Sequence, residues 1–185
     1  MALLVINGEA VPARSGAEMP VHNPATEEVV DTVPRAGPED VDAAVAAARR
    51  AFDAWAKTDP DERAHAIRQG LARVRAHAQE VADLLVRGQG KPLHEATGEL
   101  THFLHGMEFY ADLASKQRGA YAPLPSALGK AYGMVIRRPV GVCAAIVPWN
   151  FPLTLMGTKI GPALAAGNTV VVKPASTTPL ATVKV

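Results

Sequence analysis

Two apolar runs near the C-terminal end of the sequence each stop at residues that could do chemistry. Residues 140–147 are apolar or small and lead into the Pro-Trp-Asn turn at 148–150, while the run 170–172 ends at Lys173. An asparagine donates hydrogen bonds without carrying charge, which suits an oxyanion that forms and disappears during acyl chemistry. A lysine can hold ribose hydroxyls or a phosphate. Asparagine is also a good helix cap, so the residues alone leave a catalytic and a structural role for Asn150 equally open.

Other chemistry-bearing residues give weaker signals. Cys143 is the single cysteine and lies inside an apolar run, where a thiol is usually an inert structural residue. We interpret it as a small core residue. His102 and His105 are three apart on a predicted helix, but a metal site needs more than two ligands and an ordered set of supporting groups. We therefore predict no metal site.

The two strand ends are predicted to meet at one edge of a sheet. The apolar run 140–147 reads as a strand buried on both faces, 153–167 as a helix stopped by Gly167-Asn168, and 169–173 as a second buried strand. A strand, a helix and a strand form a βαβ unit. Because ligands bind beyond the carboxyl ends of the strands in open α/β sheets, Asn150 and Lys173 should face one crevice.

Upstream of this unit the sequence predicts hairpins and then long helices. The first 35 residues read as short antiparallel strands, with a two-residue turn at Asn7-Gly8. One helix should begin near Pro38, and a third should cover roughly 93–117. Between them, one helix should start with Asp59 as its cap and be stopped by the cluster Gly88-Gln89-Gly90-Lys91-Pro92. In the first helix, one apolar stripe is predicted to be core: Val41, Val45, Ala48, Phe52 and Trp55.

Bulk properties bound the class of protein. The chain has 185 residues, 48% of them hydrophobic, and a formal net charge of +1, which is ordinary for one globular domain. A nucleic-acid partner would require a basic face, so none is expected. No signal peptide and no apolar stretch of about 20 residues is present, so we expect neither secretion nor membrane insertion. A single cysteine gives no sign of an oxidising compartment, and we expect a cytoplasmic protein.

Longer motifs carry a resemblance to a known family. The stretches HNPATEEVVDTVP, VGVCAAIVPWNFP and KIGPALAAGNTVVVKPAS resemble the N-terminal portion of the aldehyde dehydrogenase superfamily, and the similarity covers essentially the whole chain. The resemblance implies an NAD- or NADP-dependent oxidation of aldehydes to carboxylic acids through a cysteine thioester. The implied fold is α/β: part of an open, twisted, mostly parallel sheet flanked by helices, with a β-strand oligomerisation arm. The dinucleotide fingerprint G-x-G-x-x-G does not occur.

The same resemblance divides the chain and assigns roles. Residues 1–120 would be the hairpins and helices of the cofactor-binding domain, 121–139 the arm that joins subunits into a dimer or tetramer, and 140–185 the βαβ unit. Asn150 matches the side-chain donor of the oxyanion hole. Lys159 matches a lysine with a charge-relay or structural role near the base, and a buried cation satisfied by carbonyls stays open as an alternative. The cofactor-binding positions would be Ile146, Val147, Pro148, Trp149, Lys173, Ala175 and Ser176.

Two departures from the family pattern matter. The family often has an acid where this sequence has Ser176, three residues after Lys173, so NADP should be accepted as well as NAD. The nucleophilic cysteine, the glutamate base and the pyrophosphate loop lie further along in relatives, and Cys143 cannot replace the nucleophile from mid-strand. We therefore expect an N-terminal fragment, with a helix beginning at Thr178-Pro179 that is cut short. The alternative is a truncated, non-catalytic chain that acts as an oligomerisation or binding partner through its arm.

Overall fold

The N-terminal segment forms two hairpins, as its turn residues predict. The computed structural model describes residues 3–125, 129 and 131–185. Strands β1 (Leu4–Ile6) and β2 (Glu9–Val11) pair antiparallel, and so do β3 (Glu18–His22) and β4 (Val29–Pro34). Asn7 and Gly8 both have positive φ, at 57° and 78°, which the tight turn between β1 and β2 requires. The prediction from Asn7-Gly8 is confirmed.

Four helices follow, and the second predicted helix is in fact two. They are α1 (Pro38–Lys57), α2 (Pro60–Ala76), α3 (Ala78–Gln89) and α4 (Leu93–Leu113), the last continued by a 3-10 turn over Ala114–Lys116. His77 leaves the helical conformation, with φ −113° and ψ 19°, and separates α2 from α3. No glycine or proline marks this position. The break lets both α2 and α3 pack against α4, so tertiary packing decides it.

The prediction of a wholly buried stripe on α1 is wrong in its N-terminal half. Val41 and Val45 are 50% and 43% exposed. Phe52 and Trp55 are half-buried, and Trp55 Nε1 donates to the carbonyl of Leu164 at 3.1 Å. The Ala48 carbonyl, also in the second half of α1, accepts from the Thr169 hydroxyl at 2.9 Å. Val41 and Val45 continue the periodic pattern onto a surface that the described residues leave exposed.

The predicted arm contains two paired strands. Strands β5 (Ala120–Pro123) and β6 (Tyr132–Val135) run antiparallel, and the rings of Tyr121 and Tyr132 stack with centroids 5.2 Å apart. The sequence predicts a turn between them near residues 126–130, which lie outside the described residues, apart from Gly129. Both strands are largely exposed, so little of the arm packs against the rest of the chain.

The βαβ unit forms as predicted, although its strands are less buried than expected. Strand β7 (Val142–Ile146), helix α5 (Pro152–Ala165) and strand β8 (Thr169–Lys173) follow one another, and the two strands pair in parallel. Within the described residues the sheet has two strands, so β7 is not covered on both faces and Ile146 is 68% exposed. The other three sheets are antiparallel pairs. The α/β class is confirmed, and a larger parallel sheet stays a prediction.

Helix α4 lies at the centre of the core. It packs against α2, α3 and α5, and its buried face carries Leu100, Phe103 and Met107. Close approach to α5 depends on Gly157, because a Cβ there would lie 2.9 Å from Phe103 Cδ2. The chain ends in α6 (Leu180–Lys184). Among the described residues, no helix is both long enough and apolar enough to cross a bilayer.

Candidate functional site

The two predicted strand ends lie side by side. Ile146 and Lys173 are register partners at the carboxyl ends of β7 and β8, and the Val147 amide donates to the Lys173 carbonyl at 3.0 Å. The segments that carry Asn150 and Ser176 therefore leave the sheet at the same edge. This is where an α/β sheet places a ligand crevice.

The turn after β7 is attached to the protein through its carbonyl groups. The Trp149 carbonyl accepts from the Thr178 hydroxyl at 3.4 Å. The Asn150 carbonyl accepts from Gln89 Nε2 at 3.3 Å and from Lys91 Nζ at 3.2 Å. Trp149 is 61% exposed, and Asn150 is exposed. With the backbone bonded inward, both side chains are presented at the sheet edge.

Asn150 does not cap α5, so the structural alternative for this residue is wrong. The N-cap position is Phe151, which makes no side-chain capping bond. The cap comes instead from Glu99 on α4, whose Oε1 accepts from the amides of Leu153 at 2.8 Å and Thr154 at 3.3 Å. None of the hydrogen bonds among the described residues uses the Asn150 side chain. Its amide is available to a ligand.

Glu99 belongs to a buried ion pair behind the turn. Its Oε2 accepts from Lys91 Nζ, and the two side chains are 0% and 8% exposed. Lys91 Nζ also lies 4.4 Å from the centroid of the Phe151 ring, within the range of a cation–π contact. Both oxygens of the Glu99 carboxylate thus accept a hydrogen bond. The Lys91 ammonium contacts the Glu99 carboxylate, the Asn150 carbonyl and the Phe151 ring. Burial of two charges is tolerated when the remaining hydrogen-bonding capacity is satisfied in this way.

Sequence reasoning missed Gln89, Lys91 and Glu99. Gln89 and Lys91 belong to the cluster at 88–92 that the sequence predicts as a helix stop, and Gly90 does adopt the left-handed conformation, with φ 84°. One signal could have found Glu99: it occupies the apolar face of α4, between Ala96 and Phe103 at helical spacing. An acid on such a face is rarely buried unless it has a partner.

The other end of α5 is fixed as well. Arg63 is 7% exposed, and its Nε donates to the Ala165 carbonyl at 3.2 Å; burial lowers the pKa of its guanidinium. The Asn168 Oδ1 accepts from the amides of Val140 and Gly141, at 2.6 and 3.0 Å, which joins the start of β8 to the start of β7. A carboxylate at the N-terminus of α5 and a guanidinium at its C-terminus both complement the helix dipole.

The strand end at β8 offers an unpaired cation and a hydroxyl. Lys173 is exposed, and its Nζ donates to the Pro174 carbonyl at 3.0 Å; among the described residues no carboxylate forms an ion pair with it. Ser176 is exposed and Ala175 half-buried. Beside them Ile146 presents apolar surface. An apolar surface flanked by a lysine and a hydroxyl fits a nucleoside carrying phosphate or ribose hydroxyl groups.

The remaining predicted residues are placed as follows. Lys159 is exposed on α5, and none of the hydrogen bonds among the described residues joins it to a carbonyl. Val147 is 2% exposed and Pro148 is exposed. Cys143 is half-buried in the middle of β7. In the part of the chain that the structure describes, no group of three or more His, Cys, Asp or Glu is arranged to bind a metal ion.

Comparison with known proteins gives consistent matches. The family model described as "Aldehyde dehydrogenase family" matches residues 11–185. The succinate-semialdehyde dehydrogenase [NADP(+)] of Escherichia coli (strain K12) is 41% identical over 175 residues, which cover 95% of this chain and 36% of that protein. The betaine aldehyde dehydrogenase of Bacillus subtilis (strain 168) is 39% identical over 186 residues, which cover 98% and 37%.

Solved structures agree with the sequence matches. A structure of PnpE in complex with nicotinamide adenine dinucleotide is similar with a TM-score of 0.92 at 36% identity, covering 99% of this chain and 37% of that one. The chain thus spans 36% to 37% of the length of these relatives. At this identity and coverage, the likeness extends through the elements that form the sheet edge.

Proposed function

We propose that this chain, which belongs to the aldehyde dehydrogenase family, supplies one oxyanion donor and part of the cofactor cleft of an aldehyde-oxidising enzyme. The proposed reaction converts an aldehyde to a carboxylic acid through a cysteine thioester. Because the chain spans 36% of the length of one such relative, the cysteine and the base are proposed to come from the remainder of a full-length protein. The arrangement at the carboxyl ends of β7 and β8 carries this proposal.

Asn150 is proposed as the side-chain donor to the oxyanion. When a thiolate adds to an aldehyde carbonyl, negative charge develops on the oxygen, and a donor already in place stabilises that charge. A neutral amide suits this step because it does not bind an anion permanently. The exposed, uncommitted side chain of Asn150 and the inward bonding of its carbonyl support the role.

The sheet edge is proposed to bind NAD or NADP. When bound, this cofactor accepts the hydride that leaves the aldehyde carbon. Lys173 is placed to bond ribose hydroxyls or a phosphate, and Ile146 and Trp149 offer exposed apolar surface, 68% and 61% exposed, for a ring. Val147 and Pro148 connect Ile146 to Trp149 along this edge. Ala175 lies in the loop between Lys173 and Ser176.

Cofactor choice is proposed to depend on Ser176. A carboxylate at this position would repel a 2′-phosphate, while a serine hydroxyl can bond either a hydroxyl or a phosphate. With no ion pair on Lys173 among the described residues, its charge is available to a phosphate. We therefore propose that both NAD and NADP are used. We also propose that the protein is located in the cytoplasm.

Lys159 and the arm complete the proposal. Lys159 is proposed to act beside the base, and its exposure on α5 is consistent with contact to another part of the protein. The arm, residues 121–139, is proposed to pair with a second copy of the chain in a dimer or tetramer. Its apolar side chains face solvent, with Tyr121 64% and Met134 71% exposed, and its strands have unpaired edges.

The proposal is tested by two substitutions at one position in the full-length protein. Asn150→Ala removes the donor and should lower kcat by about 10²–10³, the usual effect of losing one oxyanion donor. Asn150→Asp keeps the size and the capping ability of the side chain but cannot donate, so it should lose activity to a similar extent. Turnover is followed as reduced cofactor at saturating aldehyde, and the melting temperature is measured in parallel.

The two variants separate chemistry from stability. A role in stability alone would lower the melting temperature of both variants and leave their turnover unchanged. If both variants turn over at the wild-type rate, Asn150 is not the donor. If the unaltered full-length protein oxidises no aldehyde with either cofactor, the enzymatic proposal fails and a non-catalytic binding role is favoured.

A further inference from the structure

No hydrogen bond among the described residues involves the Asn150 side chain, so the direction of that side chain depends on its backbone. The carbonyl of Asn150 receives two donors, Lys91 Nζ at 3.2 Å and Gln89 Nε2 at 3.3 Å. Three residues later the chain is fixed again, where Glu99 accepts from the Leu153 and Thr154 amides. The backbone from 150 to 154 is therefore bonded at both ends to side chains from elsewhere in the fold.

The Lys91–Glu99 ion pair links the attachment at Asn150 to the attachment at the start of α5. Lys91 and Glu99 are bonded to each other, and both are almost completely buried. One end of the pair bonds the carbonyl of Asn150, and the other bonds the first turn of α5. A displacement of either side chain would move the turn, because each bond joins a buried, packed group to a backbone atom.

We propose that Lys91 and Glu99, with Gln89, are positioning residues for the oxyanion donor. They touch neither substrate nor cofactor and act by fixing the backbone from which the Asn150 amide projects. This inference rests on the proposed function of Asn150. Catalytic donors lose effect when they are displaced by about 1 Å, and such displacements lower rates by about 10²-fold.

Gln89 provides an unusual test of this role. Its Oε1 is buried without a hydrogen-bond partner among the described residues, while its Nε2 bonds the Asn150 carbonyl. Replacing Gln89 with Leu removes an unsatisfied buried oxygen, so the melting temperature should stay the same or rise. Turnover should nevertheless fall, because one of the two donors to the Asn150 carbonyl is lost. A purely structural role would not produce this combination.

The decisive experiment is a double-mutant cycle in the full-length protein. Glu99→Gln preserves shape and removes the charge, and Lys91→Met removes one of the two donors to the Asn150 carbonyl while leaving the cap on α5. Each is made alone and with Asn150→Ala, and kcat and KM for aldehyde and cofactor are measured. Glu95→Gln on the same helix, 58% exposed at the side chain, is the matched control. It should leave all parameters unchanged.

The expected result is a strong dependence on Asn150. Glu99→Gln should lower kcat by about 10²-fold when Asn150 is present and by less than about 3-fold when it is replaced by alanine, with the cofactor KM unchanged. Equal losses in both backgrounds would overturn the proposal, and so would full activity of Glu99→Gln and Lys91→Met. If Glu99→Gln does not fold, Lys91→Met and Gln89→Leu decide the question by the same comparison.

The cycle also distinguishes the two proposals. If Asn150→Ala lowers turnover but the Glu99 and Lys91 variants do not, the oxyanion role stands and the positioning role is refuted. If Asn150→Ala has no effect on turnover, the proposed function of Asn150 is wrong and the positioning role is overturned with it.

Discussion

A methyl group added at Gly157 tests how closely α4 and α5 must approach. In the structure, a Cβ at this position would lie 2.9 Å from Cδ2 and 3.3 Å from Cε2 of Phe103. Phe103 is 2% exposed, so its ring cannot swing into solvent. The ring or the helix must move instead. Because α5 begins directly after Asn150 and Phe151, the same contact influences the candidate site.

The expected magnitude follows from two opposing effects. Glycine to alanine inside a helix stabilises it by about 1 kcal/mol, since alanine has the higher helix propensity. Overpacking a tight core destabilises by about 1–3 kcal/mol. Gly157→Ala should therefore lower the free energy of unfolding by about 0–2 kcal/mol, the overpacking cost minus the propensity gain.

Gly98→Ala is the matched control. Gly98 also lies inside a helix, α4, but a Cβ there would meet nothing within 4 Å. It should raise the free energy of unfolding by about 0.5–1 kcal/mol. The difference between the two variants isolates the overpacking effect, about 1–3 kcal/mol, because the propensity gain cancels. Urea unfolding followed by circular dichroism measures both.

The reasoning is refuted if both alanine variants stabilise the protein to the same extent. A second check is Phe103→Leu, which removes the edge of the ring that the methyl group added at position 157 would strike. Combined with Gly157→Ala, it should cost less than the sum of the two single changes. Additive losses would show that Phe103 is not what limits the approach.

Three further predictions concern acid stability, assembly and cofactor choice. The pKa of Asp40 lies below its ordinary 3.8, because its carboxylate accepts from the Gly37 amide and then from the Arg14 amide. The stabilisation that Asp40 contributes is therefore complete above that value and lost as pH falls through the lower folded pKa. Asp40→Asn should flatten the decline in melting temperature below about pH 4, and an unchanged slope would contradict this. Deleting residues 123–137 from the full-length protein should yield smaller species on a sizing column, and an unchanged elution volume would refute the arm as the interface. In the full-length protein, affinities for NAD and NADP should differ by less than about two decades, or about 2.7 kcal/mol. Ser176→Glu should selectively weaken NADP, because like charges at about 4 Å repel by about 4 kcal/mol at an effective dielectric near 20. Calorimetric titration of both cofactors decides this, and equal losses would show that Ser176 does not face the 2′ position.

The sequence alone was sufficient wherever a signal is local. Asn7-Gly8 predicts its turn because the two residues tolerate positive φ, and Pro38 marks the start of α1 because its ring presets the first helical turn. The βαβ unit was predictable from apolar runs of strand length separated by a helix-length segment. That unit alone predicts that Asn150 and Lys173 lie at the same edge of the sheet.

The sequence could not show which surfaces meet. The break at His77 has no local marker, and it exists because α2 and α3 both pack on α4. Periodicity predicted a buried stripe on α1, yet Val41 and Val45 are exposed, because a periodic pattern identifies a face but not the partner that covers it.

The support of the candidate site was decided by tertiary structure. The Glu99 carboxylate caps a helix through an amide 54 residues later, and Lys91 reaches a carbonyl 59 residues away. Such bonds depend on the relative placement of α4 and α5, which close contacts at Gly157 and Gly161 permit. Local rules leave a capping role for Asn150 as open as a catalytic one. The fold supplies that cap from α4, because a buried carboxylate is satisfied only where free amides and a cation converge on it.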